Sequence, residues 1–304
     1  MGWGGVVLSS ILALSLMLAS CANNSDSNDK NPENPNPELP ANVGENPIQN
    51  KITLKHNDYA TLVMKTNGTA EYYDYDELEY VFKYTWNTTK QEIYMALEKL
   101  DYDGTQLSYD QMLSKLTITE LKNIEMEWYE TIRDDEDFKD DYPNCESYED
   151  FEKLRLAEFG YENFDEYFKD FREEGLKYFN EVFGAMITCK YEVNENGKIT
   201  LTEKFTGINN FLLYEECYYE KDGTRVEIEF GKEVSISREV NGKREYWYGE
   251  FGTGNRIEFE KEDSEDKKTG SYTEDIAKET VTVSFDGKDY DCEFRGKNFI
   301  QADD

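Results

Sequence analysis

Residues 281–294 of the 304-residue chain read VTVSFDGKDYDCEF, and this segment is the clearest indication of how the chain folds. Apolar and polar side chains alternate on both sides of the central pair Asp286-Gly287, which is the pattern of half-buried antiparallel strands. An Asp-Gly pair supplies the two positive φ angles of a type I′ turn, so the stretch predicts a tight β-hairpin. Its apolar face consists of Val281, Val283, Phe285, Tyr290, Cys292 and Phe294.

The same alternation is present in two regions, residues 51–100 and residues 185–301. Turn pairs such as Asn196-Gly197, Asp222-Gly223 and Asn241-Gly242 separate the alternating segments of the second region. One polar segment, residues 262–280, lacks the alternation, and we interpret it as an excursion outside the strands. The inward rows of the first region are predicted to include Leu54, Leu62, Met64, Tyr80, Phe82, Tyr84, Trp86, Ile93, Met95 and Leu97.

Between these regions the apolar period changes to that of helices. Phe164, Tyr167, Phe168 and Phe171 follow the i, i+3, i+4, i+7 spacing, and residues suited to N-caps precede the helical segments. We therefore predict an α+β fold. Residues 51–304 form an antiparallel β-meander curled into a barrel or sandwich, and residues 105–185 form an acidic α-helical subdomain inserted within it. The alternative is two β domains with a helical spacer.

The N-terminal 20 residues have the pattern of an export signal. An apolar run of about 14 residues, too short to span a bilayer as a helix, ends in Leu18-Ala19-Ser20-Cys21. These four residues resemble the lipobox of bacterial lipoproteins. The resemblance implies that residues 1–20 are removed and that Cys21 becomes the lipid-modified first residue, anchored to a membrane. Residues 1–7 contain no Lys or Arg, which departs from the basic start of such signals.

Residues 21–50 are rich in Asn and Pro and contain no aromatic residue. Such a composition buries little apolar surface, so we predict a disordered tether between the anchor and the folded part.

A second resemblance concerns the β regions. The segments 80–94 and 281–294 are similar to hairpins in the lipocalin-like domains of uncharacterised bacterial lipoproteins, notably those of spirochaetes. The resemblance covers most of residues 51–100 and 185–301. It implies a lipocalin-like β-barrel with a helical insertion in a lipid-anchored protein of the cell envelope, and it brings no catalytic residues.

The formal net charge is −33, which argues against nucleic-acid binding because that binding requires Lys and Arg on the phosphates. Residues 101–184 contain 25 acidic and 9 basic residues, a net charge of −16. A basic protein partner would be attracted to this insertion.

Few residues suit catalysis or metal binding. The single histidine, His56, follows Ile52 and Leu54 in a predicted strand row, so we interpret it as a wall or rim residue. We expect no cofactor, no metal site and no enzyme activity. Four cysteines follow Cys21, and we expect buried free thiols rather than disulfides at Cys145, Cys189, Cys217 and Cys292.

Three functional hypotheses follow. The first is a lipid-anchored binding or surface-interaction protein that uses the acidic insertion or a barrel mouth. The second is a carrier of a small apolar ligand, in a cavity lined by aromatic residues that could equally fill a packed core. The third is a glycan-active hydrolase with paired carboxylates. The candidate cavity residues are Tyr80, Tyr84, Trp86, Tyr246 and Tyr248.

Overall fold

The computed structural model describes residues 35–134, 138–139, 145–210, 216–229, 233–252, 254–262, 264 and 266–302. The chain divides into two compact units. The helical unit contains residues Lys99–Asn180, and the barrel unit contains residues Pro35–Glu98 and Glu181–Asp304. The predicted signal peptide and lipobox (Leu18, Ala19, Ser20 and Cys21) lie outside the described residues, as do residues 22–34 of the predicted tether.

The first of two barrels closes around eight strands, which lie on both sides of the helical segment in sequence. Each strand pairs with its neighbours in the order given, and the last pairs with the first. The order is β1 (Ile52–Lys55), β2 (Ala60–Met64), β3 (Thr69–Asp74), β4 (Glu77–Asn87), β5 (Glu92–Tyr102), β7 (Met186–Val193), β8 (Ile199–Lys204) and β17 (Asn298–Gln301). A short strand, β6 (Thr105–Leu107), pairs with the last residues of β5.

The second barrel also has eight strands, and these are consecutive in sequence. The hairpin over residues 281–294 is confirmed: Val283 pairs with Tyr290 across it, and Asp286 and Gly287 have φ angles of 55° and 74°. The strands are β9 (Glu216–Lys221), β10 (Thr224–Glu229), β11 (Glu233–Val240), β12 (Lys243–Phe251), β13 (Arg256–Lys261), β14 (Lys267–Asp275), β15 (Thr280–Phe285) and β16 (Lys288–Arg295), and β16 pairs with β9.

The structure confirms an α+β fold built on antiparallel barrels, but a single barrel or sandwich over residues 51–304 was wrong. Two barrels form, and the second lies in sequence between β8 and β17 of the first. The polar segment 262–280 was also misinterpreted, because it contains β14. None of the residues of β14 is buried, and Gly270 occupies one inward position, so the strand has no apolar row to mark it.

Phe259 lies at the centre of the second barrel and is 0% exposed. Its ring lies against two glycines of neighbouring strands: a Cβ atom added to Gly249 or to Gly270 would lie 2.7 Å from it. The ring also contacts Phe285, with a centroid separation of 4.5 Å. The two glycines therefore make the space that one large aromatic ring fills.

The helical unit contains the helices that the sequence predicted. They are α1 (Tyr109–Leu113), α2 (Ile118–Ile132), α3 (Tyr148–Glu158) and α4 (Phe164–Gly184). The backbone N–H of Glu120 donates to the Thr117 hydroxyl, that of Asp150 to the Ser147 hydroxyl, and those of Asp165 and Glu166 to the Asn163 side chain. Each N-cap satisfies backbone donors that the first helical turn leaves without a partner.

The predicted tether of residues 21–50 was too long at its C-terminal end, because residues 35–50 contact the first barrel. The Val43 N–H donates to the Trp86 carbonyl at 2.9 Å, and the Asn42 side chain accepts from the Trp86 N–H. Ile48 is 1% exposed. Composition misled here because one buried apolar side chain and a few backbone hydrogen bonds are enough to fix a polar segment.

Candidate functional site

Two of the three candidate cavity residues of the first barrel have structural roles. The Tyr84 hydroxyl donates to the Lys65 carbonyl at 2.6 Å, and the side chain is only 3% exposed. Burial raises the pKa of Tyr84, although the Asn46 amide opposes the shift. The Trp86 indole N–H donates to the Gly44 carbonyl at 3.1 Å. These bonds fix the strand ends and the segment that precedes β1.

Tyr80, the third candidate, stacks on Tyr72 with a centroid separation of 5.6 Å. Tyr72 in turn meets the edge of Phe299 and accepts a hydrogen bond from the Lys297 ammonium at 2.9 Å. His56 lies at the same end of the barrel, where its Nδ1 is 3.1 Å from the Asn298 carbonyl oxygen. His56 is half-buried, which agrees with a rim position.

The inward rows of both barrels are filled by side chains. A water-sized void beside a side chain would give that side chain accessible surface, and the residues of these rows have almost none. They therefore line no cavity that could hold a ligand. The residues at 0% exposure are Leu54, Leu62, Met64, Ala70, Phe82, Ile93, Met95, Leu97, Leu201 and Phe299 in the strands of the first barrel, with Val226, Ile236, Ile257, Phe259, Val281, Val283 and Cys292 in those of the second.

Tyr246 and Tyr248 do not face the interior of the second barrel, which corrects the prediction. They are 39% and 50% exposed, whereas Trp247 between them is 2% exposed. Trp247 pairs with the buried Ile236 across the β11–β12 ladder, so this register places the indole inside. The two tyrosines lie on the outer face, and the Tyr248 hydroxyl donates to Glu262 at 3.4 Å.

A network of charged side chains closes the end of the second barrel at which the Asp286-Gly287 turn lies. Asp286 accepts from Lys268 at 2.9 Å and from Arg238 at 2.8 Å. Glu245 accepts from Lys261 at 2.8 Å and lies 3.6 Å from Arg238. Three cations and two carboxylates therefore alternate across the mouth.

Aromatic rings form the floor of this charged mouth. Lys268 lies 5.0 Å from the Trp247 ring centroid, and Arg238 lies 5.1 Å from that of Phe285. Hydrogen bonds from Lys268 and then Arg238 lower the pKa of Asp286. Burial alone would lower the pKa of Arg238, but its hydrogen bond and charge interaction with Asp286 outweigh burial and raise it. The network therefore lies on these rings and covers this end of the barrel, and we call it the lid.

Sequence reasoning missed an exposed aromatic pair on the first barrel. Tyr59 in the β1–β2 loop and Tyr75 in the β3–β4 turn pack against each other with tilted rings, at a centroid separation of 4.4 Å and an interplanar angle of 34°. They are 50% and 67% exposed. Both stand in short polar loops outside the alternating rows, so periodicity could not mark them. Their contact follows from the β2–β3 register, in which the neighbouring residues Ala60 and Asp74 pair.

The helical unit contains a buried ion pair. The Arg155 guanidinium lies between the rings of Trp128 and Phe159, 4.4 and 4.1 Å from their centroids. Its Nε is 3.8 Å from Glu125, which accepts the Tyr167 hydroxyl hydrogen bond at 2.6 Å. Desolvation raises the pKa of Glu125, although Tyr167 and Arg155 oppose the shift. The cluster lies beside the α2–α3 aromatic core and fixes the packing of these helices.

A small cleft in the same unit lies beside the N-terminal end of α2. Its free volume of about 20 Å³ has room for about one water molecule, so no organic ligand fits. The lining residues include Tyr102, Lys115, Leu116 and Gly175.

The thiols that the structure describes are unpaired, as predicted. Cys189, Cys217 and Cys292 are buried, Cys145 is half-buried, and all four are free. Burial raises the pKa of Cys217 to about 12. Such thiols pack as small apolar side chains and have little thiolate at neutral pH.

Comparisons with protein-family models, with curated proteins and with solved structures return no match to this chain. Within the described ranges, no helix is long and apolar enough to cross a membrane. The same ranges contain no group of three or more His, Cys, Asp and Glu residues arranged to hold a metal ion.

Proposed function

We propose that this chain is an exported, lipid-anchored binding protein of the bacterial cell envelope. It contacts its partner with external surfaces of its folded units. The observation that carries this proposal is the contrast between filled barrels and exposed tyrosines. Inward rows with almost no accessible surface leave no room for a ligand, whereas Tyr59 and Tyr75 project into solvent. Exposed aromatic residues are the type that anchors protein interfaces.

The filled barrels favour this function over a carrier of a small apolar ligand. A lipocalin-like carrier needs an open interior, and the residues that would line one pack against each other instead. Glycoside hydrolysis needs two carboxyl groups on opposite sides of a substrate cleft. The buried carboxylate of the helical unit, Glu125, accepts a hydrogen bond from Tyr167 and pairs with Arg155. These contacts give Glu125 a role in packing the helices rather than in hydrolysis.

The expected partner is basic. The described part of the helical unit contributes strongly to the net charge of −33, and its acidic side chains are mostly on the surface. A field of this sign speeds the encounter with a cationic partner and repels nucleic acid and anionic lipid. The proposed lipid at Cys21 would then hold the protein at a membrane that its folded part does not attract.

The anchor is tested by expressing the full chain and its Cys21→Ala variant in a bacterial host with an alkyne-labelled fatty acid. We expect label and membrane fractionation for the parent and neither for the variant, with Cys145→Ala as the matched control that behaves like the parent. Mass spectrometry of the mature N-terminus should find an acylated Cys21. An unmodified Cys21 in the membrane fraction contradicts the proposal.

The carrier hypothesis is tested with an environment-sensitive naphthylamine probe. We expect no saturable fluorescence increase with the native protein, because the barrel interiors are filled. Saturable binding that a fatty acid displaces would favour a carrier instead.

A further inference from the structure

Tyr59 and Tyr75 are held in fixed positions at one end of the first barrel. The Tyr75 N–H donates to the Tyr59 carbonyl at 3.0 Å and joins the two loops. The Asn57 side chain accepts from the N–H groups of Tyr59 and Ala60 at 2.8 and 2.7 Å, which fixes the β1–β2 loop. The rings therefore form a preorganised platform, and ordering them on binding costs little entropy.

The backbone under Tyr75 is strained. Tyr75 and Asp76 have φ angles of 48° and 68°, so both central residues of the turn are left-handed. Such a conformation costs a residue with a Cβ about 1–2 kcal/mol. Four other described hairpins with two left-handed residues place glycine second: Asp103-Gly104, Asp222-Gly223, Asn241-Gly242 and Asp286-Gly287. Strain of this kind is characteristic of functional sites, and here it presents a tyrosine that is 67% exposed.

Carboxylates surround the tyrosine platform in sequence. Asp58 precedes Tyr59, Asp74 and Asp76 flank Tyr75, and Glu77 follows. Asp58, Asp76 and Glu77 are exposed. The ion pairs found among the described residues do not involve these four carboxylates. Their charge is therefore available to an external cation.

We propose that the tyrosine platform binds the cationic side chains of a lysine- or arginine-rich segment of a partner protein. A guanidinium or ammonium group stacks on the outer face of a tyrosine ring, and the neighbouring carboxylates accept its N–H groups. The inference deepens the proposed function, since it names the site and the partner class, and it does not depend on the lipid anchor.

The experiment uses the purified full chain with Cys21→Ala and a hexapeptide of alternating arginine and glycine as the probe. At about 0.15 M salt, charges more than about 8 Å away are largely screened. Binding is measured by calorimetry for the parent, for Tyr59→Ala with Tyr75→Gly, and for the matched control Tyr246→Ala with Tyr248→Ala. We expect the platform variant to bind at least about tenfold more weakly and the control to bind within about twofold of the parent.

Folding is checked in the same samples. Glycine removes the left-handed strain at position 75, which offsets the lost ring contact, so the platform variant should unfold no more than a few degrees below the parent. A hexapeptide of alternating glutamate and glycine should not bind the parent.

Equal weakening in the two double variants, or parent-like binding by the platform variant, overturns the site. If the arginine peptide binds both double variants as tightly as the parent, the hypothesis of a basic partner is kept. Only the assignment of its binding site to the tyrosine platform is then wrong. If the separate labelling experiment finds no acylation of Cys21, the proposed lipid anchor is wrong, but the result of the peptide-binding experiment is unchanged.

Discussion

Replacing Gly249 by alanine tests the packing at the centre of the second barrel. The new Cβ would lie 2.7 Å from Cδ1 of Phe259, and 2.9 Å from both the Glu258 carbonyl oxygen and Cγ2 of Ile257. Non-bonded carbon atoms prefer about 3.5–4.0 Å, so the ring must retreat by about 1 Å. It cannot do so freely, because Phe259 is 0% exposed and packs against Phe285.

Overpacking of this size costs about 1–3 kcal/mol of unfolding free energy. Without the clash, alanine in a strand would be more stable than glycine by about 0.5–1 kcal/mol. Gly252→Ala is the matched control, since Gly252 is exposed and its nearest neighbour, the Arg256 carbonyl oxygen, would lie 3.4 Å from the new Cβ. We expect the control to change stability by no more than about 0.5 kcal/mol in either direction.

Hydrogen exchange of the amides in β12 and β13 measures the change within the second barrel. Gly249→Ala should speed the exchange of the protected amides by roughly 5- to 150-fold, the equivalent of about 1–3 kcal/mol. In a Phe259→Ala background, the loss of stability caused by Gly249→Ala should shrink by at least about 1 kcal/mol, because the ring is gone. The loss should not vanish, because the close contact with the Glu258 carbonyl oxygen remains. If the protected amides exchanged at the same rate in Gly249→Ala and Gly252→Ala, the described packing of Phe259 against Gly249 would be wrong.

Three further predictions concern the lid, the thiols and the first barrel. The depressed pKa of Asp286 gives stability that is present above the unfolded-state pKa and is lost as pH falls through the folded-state value. Asp286→Asn should therefore lower the free energy of unfolding at neutral pH by at most about 1 kcal/mol, because Asp286 and its partners are partly exposed. Urea unfolding measures this loss, which should vanish in acid; a loss that is the same at all pH values contradicts the prediction. In the native Cys21→Ala protein, a thiol reagent should modify Cys145 first, whereas the buried Cys189, Cys217 and Cys292 should react only on unfolding. Rapid modification of all four thiols would contradict the described packing. Phe299→Ala should cost about 3–5 kcal/mol, seen as faster exchange in β1 and β8 while β9–β16 stay protected.

The elements that periodicity could predict are those with an apolar row opposite a polar one. The hairpin at residues 281–294 and the row Ile93, Met95 and Leu97 are examples, since every inward position is apolar and buried. β14 was not predicted because its inward side carries Lys268, Gly270 and Tyr272 instead of an apolar row. Lys268 lies at the mouth of the barrel, and Gly270 makes room for the ring of Phe259. An inward position next to a barrel mouth or a large ring does not need an apolar side chain.

The candidate site was harder to predict than the strands. Tyr246, Trp247 and Tyr248 are three consecutive aromatic residues, so hydrophobicity alone could not decide which of them faces inward. The pairing of Trp247 with Ile236 decides it, and this pairing is a tertiary property. Tyr59 and Tyr75 are 16 positions apart in sequence, and the β2–β3 register, in which Ala60 pairs with Asp74, brings their rings together.

The position of β17 in the chain has a consequence for biogenesis. β17 fills the gap between β1 and β8, yet it follows all eight strands of the second barrel in sequence. During synthesis, the second barrel can therefore assemble from contiguous hairpins while the first remains an incomplete sheet with two unpaired borders. Such borders invite pairing with other chains. A holding chaperone that shields β1 and β8 until the polypeptide is complete would raise the yield of the first barrel and leave that of the second unaffected.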